Sequence, residues 1–307
     1  MQCAMLIIGC DSSMNKQAGV LGATSLVGEE LLRQMTQQGW HITAFSRDPR
    51  ITLHPQIEWR GLKYQDSEKK IVEKKDIPFW LCVAPIWVLP AYFDLLLSFS
   101  ARRIVVLSST SRFTKHTSCD MNEQKIADQI ISGEEQVQSW ASAHHIDWII
   151  LRPTLIYGYG RDKNIAQIAR FIQRFKFFPV FGSAQGLRQP IHAADVAAAC
   201  LSALNSCSVT DHCYDLTGGE TISYREMVTR IFKALDYAPR IITIPLWVFH
   251  MVLWGLHWLP RYRHWTVDMA KRMNQDLIFD DCDTKRDLNI FPRSFSLTAA
   301  DLPSQNG

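Results

Sequence analysis

Seven residues, Gly22-Ala23-Thr24-Ser25-Leu26-Val27-Gly28, stand between an apolar strand pattern and an amphipathic helix pattern, and no other stretch restricts the fold as much. A tight turn from strand to helix aims backbone N–H groups at the helix N-terminus, where the helix dipole favours negative charge such as a pyrophosphate. Gly28 lets the helix pack closely on the sheet. Ser25 stands where the middle glycine of such a turn usually sits. Its hydroxyl is either a donor to a phosphate or bulk that holds the ligand back. A strand–helix turn of this length also exists without any ligand, so the motif has to be read with the rest of the chain.

The rest of the chain alternates. Short apolar runs at Gly19–Leu21, Ile42–Phe45, Ile57–Arg60, Phe79–Ala84, Ile104–Leu107 and Trp148–Leu151 read as strands. They are rich in Val, Ile and Leu, as strands covered on both faces should be. Helical patterns separate them at Val27–Gln38, Ala91–Phe99 and Glu123–Ala143, and Gly39 suits the left-handed residue after the first. Strands alternating with helices predict an α/β fold, a doubly wound parallel sheet. After Arg152 the character changes. Tyr157-Gly158-Tyr159-Gly160 reads as a turn, Ile165–Phe175 as a helix, Gln189–His192 as the entry to a short strand, and Asp195 as the start of an Ala-rich helix. Tyr214–Thr217 reads as a last strand, Ser223 and Glu226 as a capping box, and the remainder as a smaller, mostly helical C-terminal lobe. The predicted division is residues 1–215, with an excursion near 159–186 into the small lobe, and residues 216–307.

The end of the second strand reports on the ligand. An NAD site places Asp or Glu there, about 20 residues past the glycines, to hold the ribose 2′-OH. Here the chain reads Ala44-Phe45-Ser46-Arg47-Asp48. A guanidinium suits the 2′-phosphate of NADP through charge-assisted hydrogen bonds, so NADP(H) is expected ahead of NAD(H), with Ser46 and Arg47 as its contacts.

Composition narrows the class. With 47% hydrophobic and 21% charged residues the 307-residue chain is globular, and a net charge of +3 without a basic run excludes a nucleic-acid partner. The eight cysteines form no C-x-x-C, and no Cys/His spacing matches a zinc site, so no metal is expected. Free thiols in apolar runs point to a reducing compartment, the cytoplasm. Leu6–Cys10 imitates a lipoprotein cleavage box, but no Lys or Arg precedes it. It reads as an extra N-terminal segment or edge strand rather than a signal peptide.

Several further motifs follow in order. They are Val105-Val106-Leu107-Ser108-Ser109-Thr110, Leu151-Arg152-Pro153-Thr154-Leu155-Ile156-Tyr157-Gly158, Pro190-Ile191-His192-Ala193-Ala194-Asp195-Val196-Ala197, Tyr214-Asp215-Leu216-Thr217-Gly218-Gly219 and Pro292-Arg293-Ser294-Phe295. With the glycine turn they resemble the extended short-chain dehydrogenase/reductase superfamily, the NAD(P)-dependent epimerase/dehydratase family, and most of all its atypical branch. The resemblance runs from about Ala18 to about Leu302. It implies a Rossmann sheet with a dinucleotide across the carboxyl ends of its strands. Gly22, Thr24, Ser25, Leu26, Val27 and Gly28 would face the pyrophosphate, and Ala84 and Pro85 would pass near it. Ser108 and Ser109 would lie by the nicotinamide ribose, and Pro153, Thr154 and Ile156 by the nicotinamide. A small-molecule substrate would sit between that ring and the small lobe, and a homodimer is a common assembly of the family.

The resemblance also exposes a gap. Typical members move a proton with a Tyr, and a Lys four residues later lowers its pKa; the spacing puts both on one helix face. Unperturbed Tyr titrates near pH 10 and is a poor base without such a cation. Here the Tyr falls at Ile126 or Ala127 and the Lys at Ile130 or Ile131, and no Tyr occurs between Tyr92 and Tyr157. A gap could bring Met121 and Lys125 into register, but Met is no acid. Thr110 matches the family's Ser/Thr that orients the substrate oxygen. Tyr157 is the candidate substitute acid, weighed against a packing role. His192 and Asp195 form an acid–base-like pair, although the family pattern makes Asp195 the cap of its helix. Asp120, Glu123, Glu134 and Glu135 read as the solvated face of the altered helix, and His144-His145 as its surface end.

Ile241–Leu259 carries Trp247, Trp254 and Trp258 and no charge. A strand ending at Ile244 and a helix from Leu246 explain it, with the helix in the core ahead of a pocket wall, a dimer face or membrane contact. The expected function is an NADP(H)-dependent oxidoreductase acting on a small carbonyl/alcohol substrate. A non-catalytic dinucleotide-binding sensor, chaperone or assembly factor is the alternative. A sugar-nucleotide epimerase ranks third, because no evident cluster of basic residues holds a diphosphate.

Overall fold

A computed structural model of the chain describes residues 16–47, 54–62, 76–115, 118, 120–245 and 271–304. Asp48, the Leu6–Cys10 segment and the helix expected from Leu246 lie outside the described residues.

The strands are β1 (Gln17–Leu21), β2 (His41–Ser46), β3 (Ile57–Gly61), β4 (Phe79–Cys82), β5 (Arg103–Leu107), β6 (Asp147–Pro153), β7 (Ile156–Tyr157), β8 (Phe178–Phe181), β9 (Leu187–Arg188), β10 (Ile191–His192), β11 (His212–Leu216), β12 (Ile222–Ser223) and β13 (Ile241–Ile244). Seven of them form one sheet in the order β3-β2-β1-β4-β5-β6-β11, with every neighbouring pair parallel. This is the doubly wound arrangement, with strand order reversing between β1 and β4.

Alternation along the strands explains the layers. Val105 and Leu107 of β5 and Ile149 and Leu151 of β6 enter one buried cluster, while Ile104, Val106 and Ile150 enter another on the opposite face. Side chains two apart share a face, so a strand covered on both sides is apolar throughout. Helices α1 (Leu26–Gln37), α2 (Phe93–Ser98), α3 (Ser111–Thr114), α4 (Met121–Ala143), α5 (Ile165–Phe175), α6 (Ala193–Asn205), α7 (Tyr224–Ala234) and α8 (Cys282–Leu288) join them, with 3₁₀ helices over Ile86–Tyr92 and Ala299–Asp301. Leu31 and Met35 of α1 meet Ala197 and Leu201 of α6 in the first cluster; Leu96 of α2 and Ile130 and Val137 of α4 enter the second. Each Leu, Ile or Val so buried contributes about 1.5–3 kcal/mol. A third cluster joins Ile168 and Ile172 of α5, Met227 and Ile231 of α7, and Phe178, Phe181 and Phe295. It is built from the later part of the chain and faces the carboxyl edge of the sheet through the residues after β6.

Local chemistry sets the ends. Ser25 Oγ accepts from the Gly28 amide at 3.0 Å and caps α1, which stops before Gly39 at φ +80°. Ser223 Oγ accepts from the Glu226 amide at 3.1 Å. The expected reciprocal arm is replaced, because the Glu226 carboxylate takes Arg230 at 2.9 Å one turn on. The helix expected over Ala91–Phe99 starts only at Phe93, with the 3₁₀ turn before it holding Pro90, which cannot supply a helical N–H. Asp195 does not cap α6. His192 does, its Nδ1 accepting from the Ala194 amide at 3.0 Å, while Asp195 grips Arg293 at 2.9 Å. Arg293 arrives 98 residues later, beyond the reach of any local capping rule.

Candidate active site

The residues expected to hold a dinucleotide stand along one edge. The glycine turn leaves β1, Ser46 and Arg47 leave β2, Ala84 and Pro85 follow β4, Ser108 and Ser109 follow β5, and Pro153 to Ile156 leave β6. Because all these strands are parallel, their carboxyl ends share one side of the sheet. Register places Leu21 opposite Phe45 and Cys82, so the turn lies between Arg47 and Ala84.

The turn itself fits an anion. Gly22 sits at φ +83°, and a Cβ there would lie 2.5 Å from the Ala84 amide nitrogen; a Cβ on Gly28 would lie 2.3 Å from the Gly22 carbonyl oxygen. Only glycines bring the helix start this close to β4. The first amides of a helix have no acceptor within it, and here they belong to Leu26 and Val27. The Ser25 side chain folds back as the cap, so its bulk leaves the turn's mouth. Arg47 is exposed beyond the buried Ser46. These residues can therefore hold the pyrophosphate and ribose of a dinucleotide.

Beyond them, between the sheet edge and the third cluster, is a cavity of about 670 Å³. That size suits a small organic ligand. One wall is Ser109, Thr110, Lys115, Thr154 and Ile156; the facing wall includes Phe171, Phe178, Met227 and Phe279. Lys115, Lys163, Arg188 and Arg272 also line it, so the basic cluster missed in the sequence exists. It is drawn from four separate segments, and no local run announces it. Arg272 is paired with Glu123, and Arg188 donates to the Leu187 and Gln275 carbonyls at 2.7 Å each and to that of Arg272. Burial holds the Arg188 guanidinium down to about 10.

The three hydroxyls after β5 differ in what their protons do. Ser108 donates to Glu134, and Thr110 donates to the Pro153 carbonyl at 3.3 Å. Ser109 Oγ accepts from the Ser111 amide at 3.1 Å, and its own proton has no acceptor among the described residues. A carbonyl oxygen needs a donor, so Ser109 serves it better than Thr110, whose oxygen is left to accept from a substrate O–H.

Tyr157 is not at the cavity. It is fully buried, edge-on to His192 and Phe295, and its hydroxyl donates to the Ser296 carbonyl at 3.4 Å. Burial pushes the phenol up to about 12. Ile126 is half-buried and Ile130 is 3% exposed, both packed in the cluster under α4, while Met121 and Lys125 are exposed. Glu134 is not on a solvated face either. At 1% exposure it binds Arg112, Arg152 at 2.6 Å and Ser108, a buried ion cluster at the end of β6. Its partners lie on three segments, which helical periodicity does not reveal. Asp120 caps α4 through the Asn122 amide, and Glu135 is exposed as expected. No group of three or more metal-ligating side chains occurs among the described residues, and no helix among them is long and apolar enough to cross a membrane.

Comparison with known proteins bears on the fold. The model of the NAD dependent epimerase/dehydratase family matches residues 96–216, from α2 through the last sheet strand. That stretch is less than half of the 307-residue chain, and it does not include the glycine turn. A relative within reach is the uncharacterized protein y4nG of Sinorhizobium fredii (strain NBRC 101917 / NGR234), 24% identical over 274 residues, taking in 79% of this chain and 66% of that protein. The chain thus spans just under two thirds of that curated relative. Among solved structures, the epimerase Mth375 of Methanothermobacter thermautotrophicus superposes with a TM-score of 0.69 at 13% identity, covering 92% of this chain and 88% of that one. The UDP-glucuronic acid 4-epimerase of Bacillus cereus in complex with NAD gives 0.67 at 13%, covering 93% and 95%. At such identities these two matches speak for the shared fold.

Proposed function

We propose that this chain is a member of the NAD-dependent epimerase/dehydratase family that binds NAD(P), with NADP(H) ahead of NAD(H), and transfers hydride to or from a small carbonyl/alcohol substrate in the interlobe cavity. The observation that carries the reading is the continuity of the sheet edge. The glycine turn, Arg47 and Ala84 lead into Ser109, Thr110, Thr154 and Ile156, and those four line the cavity. When bound, the dinucleotide supplies or takes the hydride. Leu26 and Val27 hold its pyrophosphate on their amides, Arg47 its 2′-phosphate, and Pro153, Thr154 and Ile156 its nicotinamide. Ser109 donates to the substrate oxygen, Thr110 accepts from its hydroxyl, and the Phe and Met wall keeps water out. The protein works in the cytoplasm.

Calorimetric titration with NADPH and with NADH tests this. Tighter binding of NADPH supports it. Binding of neither sinks it in favour of a partner-binding role, which the apolar residues at the dyad positions, Ile126 or Ala127 and Ile130 or Ile131, favour. Sugar-nucleotide epimerisation is a second reading, drawing on the four cations of the cavity and on the fold shared with the UDP-glucuronic acid 4-epimerase. It predicts that UDP-glucose binds in competition with a carbonyl substrate.

A further inference from the structure

Hydride transfer to a carbonyl leaves charge on oxygen, and α4 carries no tyrosine to quench it. Six titratable side chains line the cavity: Lys115, Glu123, Lys163, Arg188, Tyr224 and Arg272. An arginine keeps its proton at any working pH. Glu123 accepts from Ser118 at 2.8 Å and is paired with Arg272, which holds it as an acceptor. Tyr224 stands across the cavity on the first turn of α7, and burial pushes its phenol up to about 12, far from a useful match to neutral pH. Lys163 is exposed at the rim.

Lys115 differs from all of these. It follows the last residue of α3, the short helix that Thr110 precedes, and its amide donates to the Ser111 carbonyl at 3.0 Å. Ser109, Thr110 and Lys115 are therefore carried on one turn of backbone and enter one cavity wall. We propose that Lys115 is the proton-transfer residue of this site, standing in for the tyrosine that α4 lacks. Its position is supported by its surroundings. Burial, helped by the Arg272 cation, lowers its pKa from the usual lysine value, against the opposing pull of Glu123 and Asp120. A lysine whose pKa is lowered by desolvation gives up and regains its proton more readily than a solvated one.

The step balances as follows. A reduced nicotinamide dinucleotide is the reductant, and its hydride forms the new C–H bond at the substrate carbonyl carbon. The C=O π pair moves to oxygen. A Lys115 Nζ–H bond breaks, its pair stays on nitrogen, and the new O–H bond completes the alcohol. Water returns a proton to the amine. In the oxidative direction the substrate hydroxyl turns its proton from Thr110 to the neutral amine, which takes it.

The assignment rests on the hydride-transfer reading above, so its first test needs no cofactor. The whole chain is trace-labelled with acetic anhydride across a pH series, and acylation of Lys115 and Lys163 is read by peptide mass spectrometry. The expected result is that Lys115 gains reactivity at lower pH than Lys163; coincident or reversed profiles overturn the proposal. The second test uses NADPH oxidation with menadione as the probe. Lys115→Met and Lys115→Arg should both lower kcat about a hundredfold while leaving the KM for NADPH unchanged. Retention of kcat by Lys115→Arg would reduce Lys115 to an anion holder and overturn the proposal. Wild-type protein that binds neither dinucleotide sinks the functional reading instead, and the labelling profile remains readable on its own.

Discussion

At the scale of single residues, polarity and position part company at Tyr157. Beside a glycine turn at the end of the parallel sheet, a tyrosine invites a catalytic reading. The fold turns its ring inward between His192 and Phe295 instead. Tyr157→Phe should therefore leave dinucleotide-dependent turnover within about twofold, since the phenol reaches no substrate. Its stability cost should be about 1 kcal/mol or less, because one long hydrogen bond to Ser296 is lost. A phenol raised from 10.0 to about 12 keeps its contribution below pH 10 and loses it as pH climbs from 10 to about 12. The Phe variant should flatten that alkaline decline, read as urea midpoints across the range. Ser109 shows the converse. Nothing in the sequence ranks it above Ser108 and Thr110, because the ranking depends on which acceptors lie nearby, and those come from Glu134, 26 residues from Ser108, and Pro153, 43 from Thr110.

At the scale of elements, α4 is tied to the sheet by a buried ion cluster. Glu134 sits almost without exposure between two guanidiniums. Removing one partner of a buried ion cluster leaves charge uncompensated, so Glu134→Ala should cost about 3–5 kcal/mol in chemical denaturation. Restoring the dyad with Ile126→Tyr and Ile130→Lys should fail for a related reason. Ile130 is 3% exposed among apolar neighbours, and an ammonium there has no described partner, so the double variant should lose several kcal/mol and gain no activity. Elements like these were legible to the extent that periodicity is local. Each sheet strand was found within two residues at either end, and α5 was found to the residue. The strands β7, β8, β9 and β12 were missed. They are two to four residues long and exist through pairings such as β8 with β13 and β9 with β12, which leave no periodic trace.

At the scale of the whole molecule, the carboxyl edge of the sheet was legible and the cavity was not. The edge is a property of parallel strands, so knowing the strand order places its residues. The cavity depends on how Lys115, Lys163, Arg188 and Arg272 converge from separate segments, and no one-dimensional pattern encodes that. The edge therefore yields the sharpest global prediction. Arg47 is exposed at the carboxyl end of β2, beside the glycine turn, with Ser46 buried behind it. A 2′-phosphate there would form charge-assisted bonds that a ribose hydroxyl cannot. Any ligand that binds only the folded chain stabilises it by mass action, about 2.7 kcal/mol at a hundred times Kd. A chain of this size gains roughly 2–4 °C in Tm per kcal/mol. NADPH should thus raise Tm by several degrees and NADH by less at equal concentration. Arg47→Ala should weaken NADPH about tenfold, a loss of about 1.4 kcal/mol, and leave NADH where it was. Equal shifts with both dinucleotides, unchanged by the substitution, would make Arg47 a solvated loop residue and the cofactor NAD.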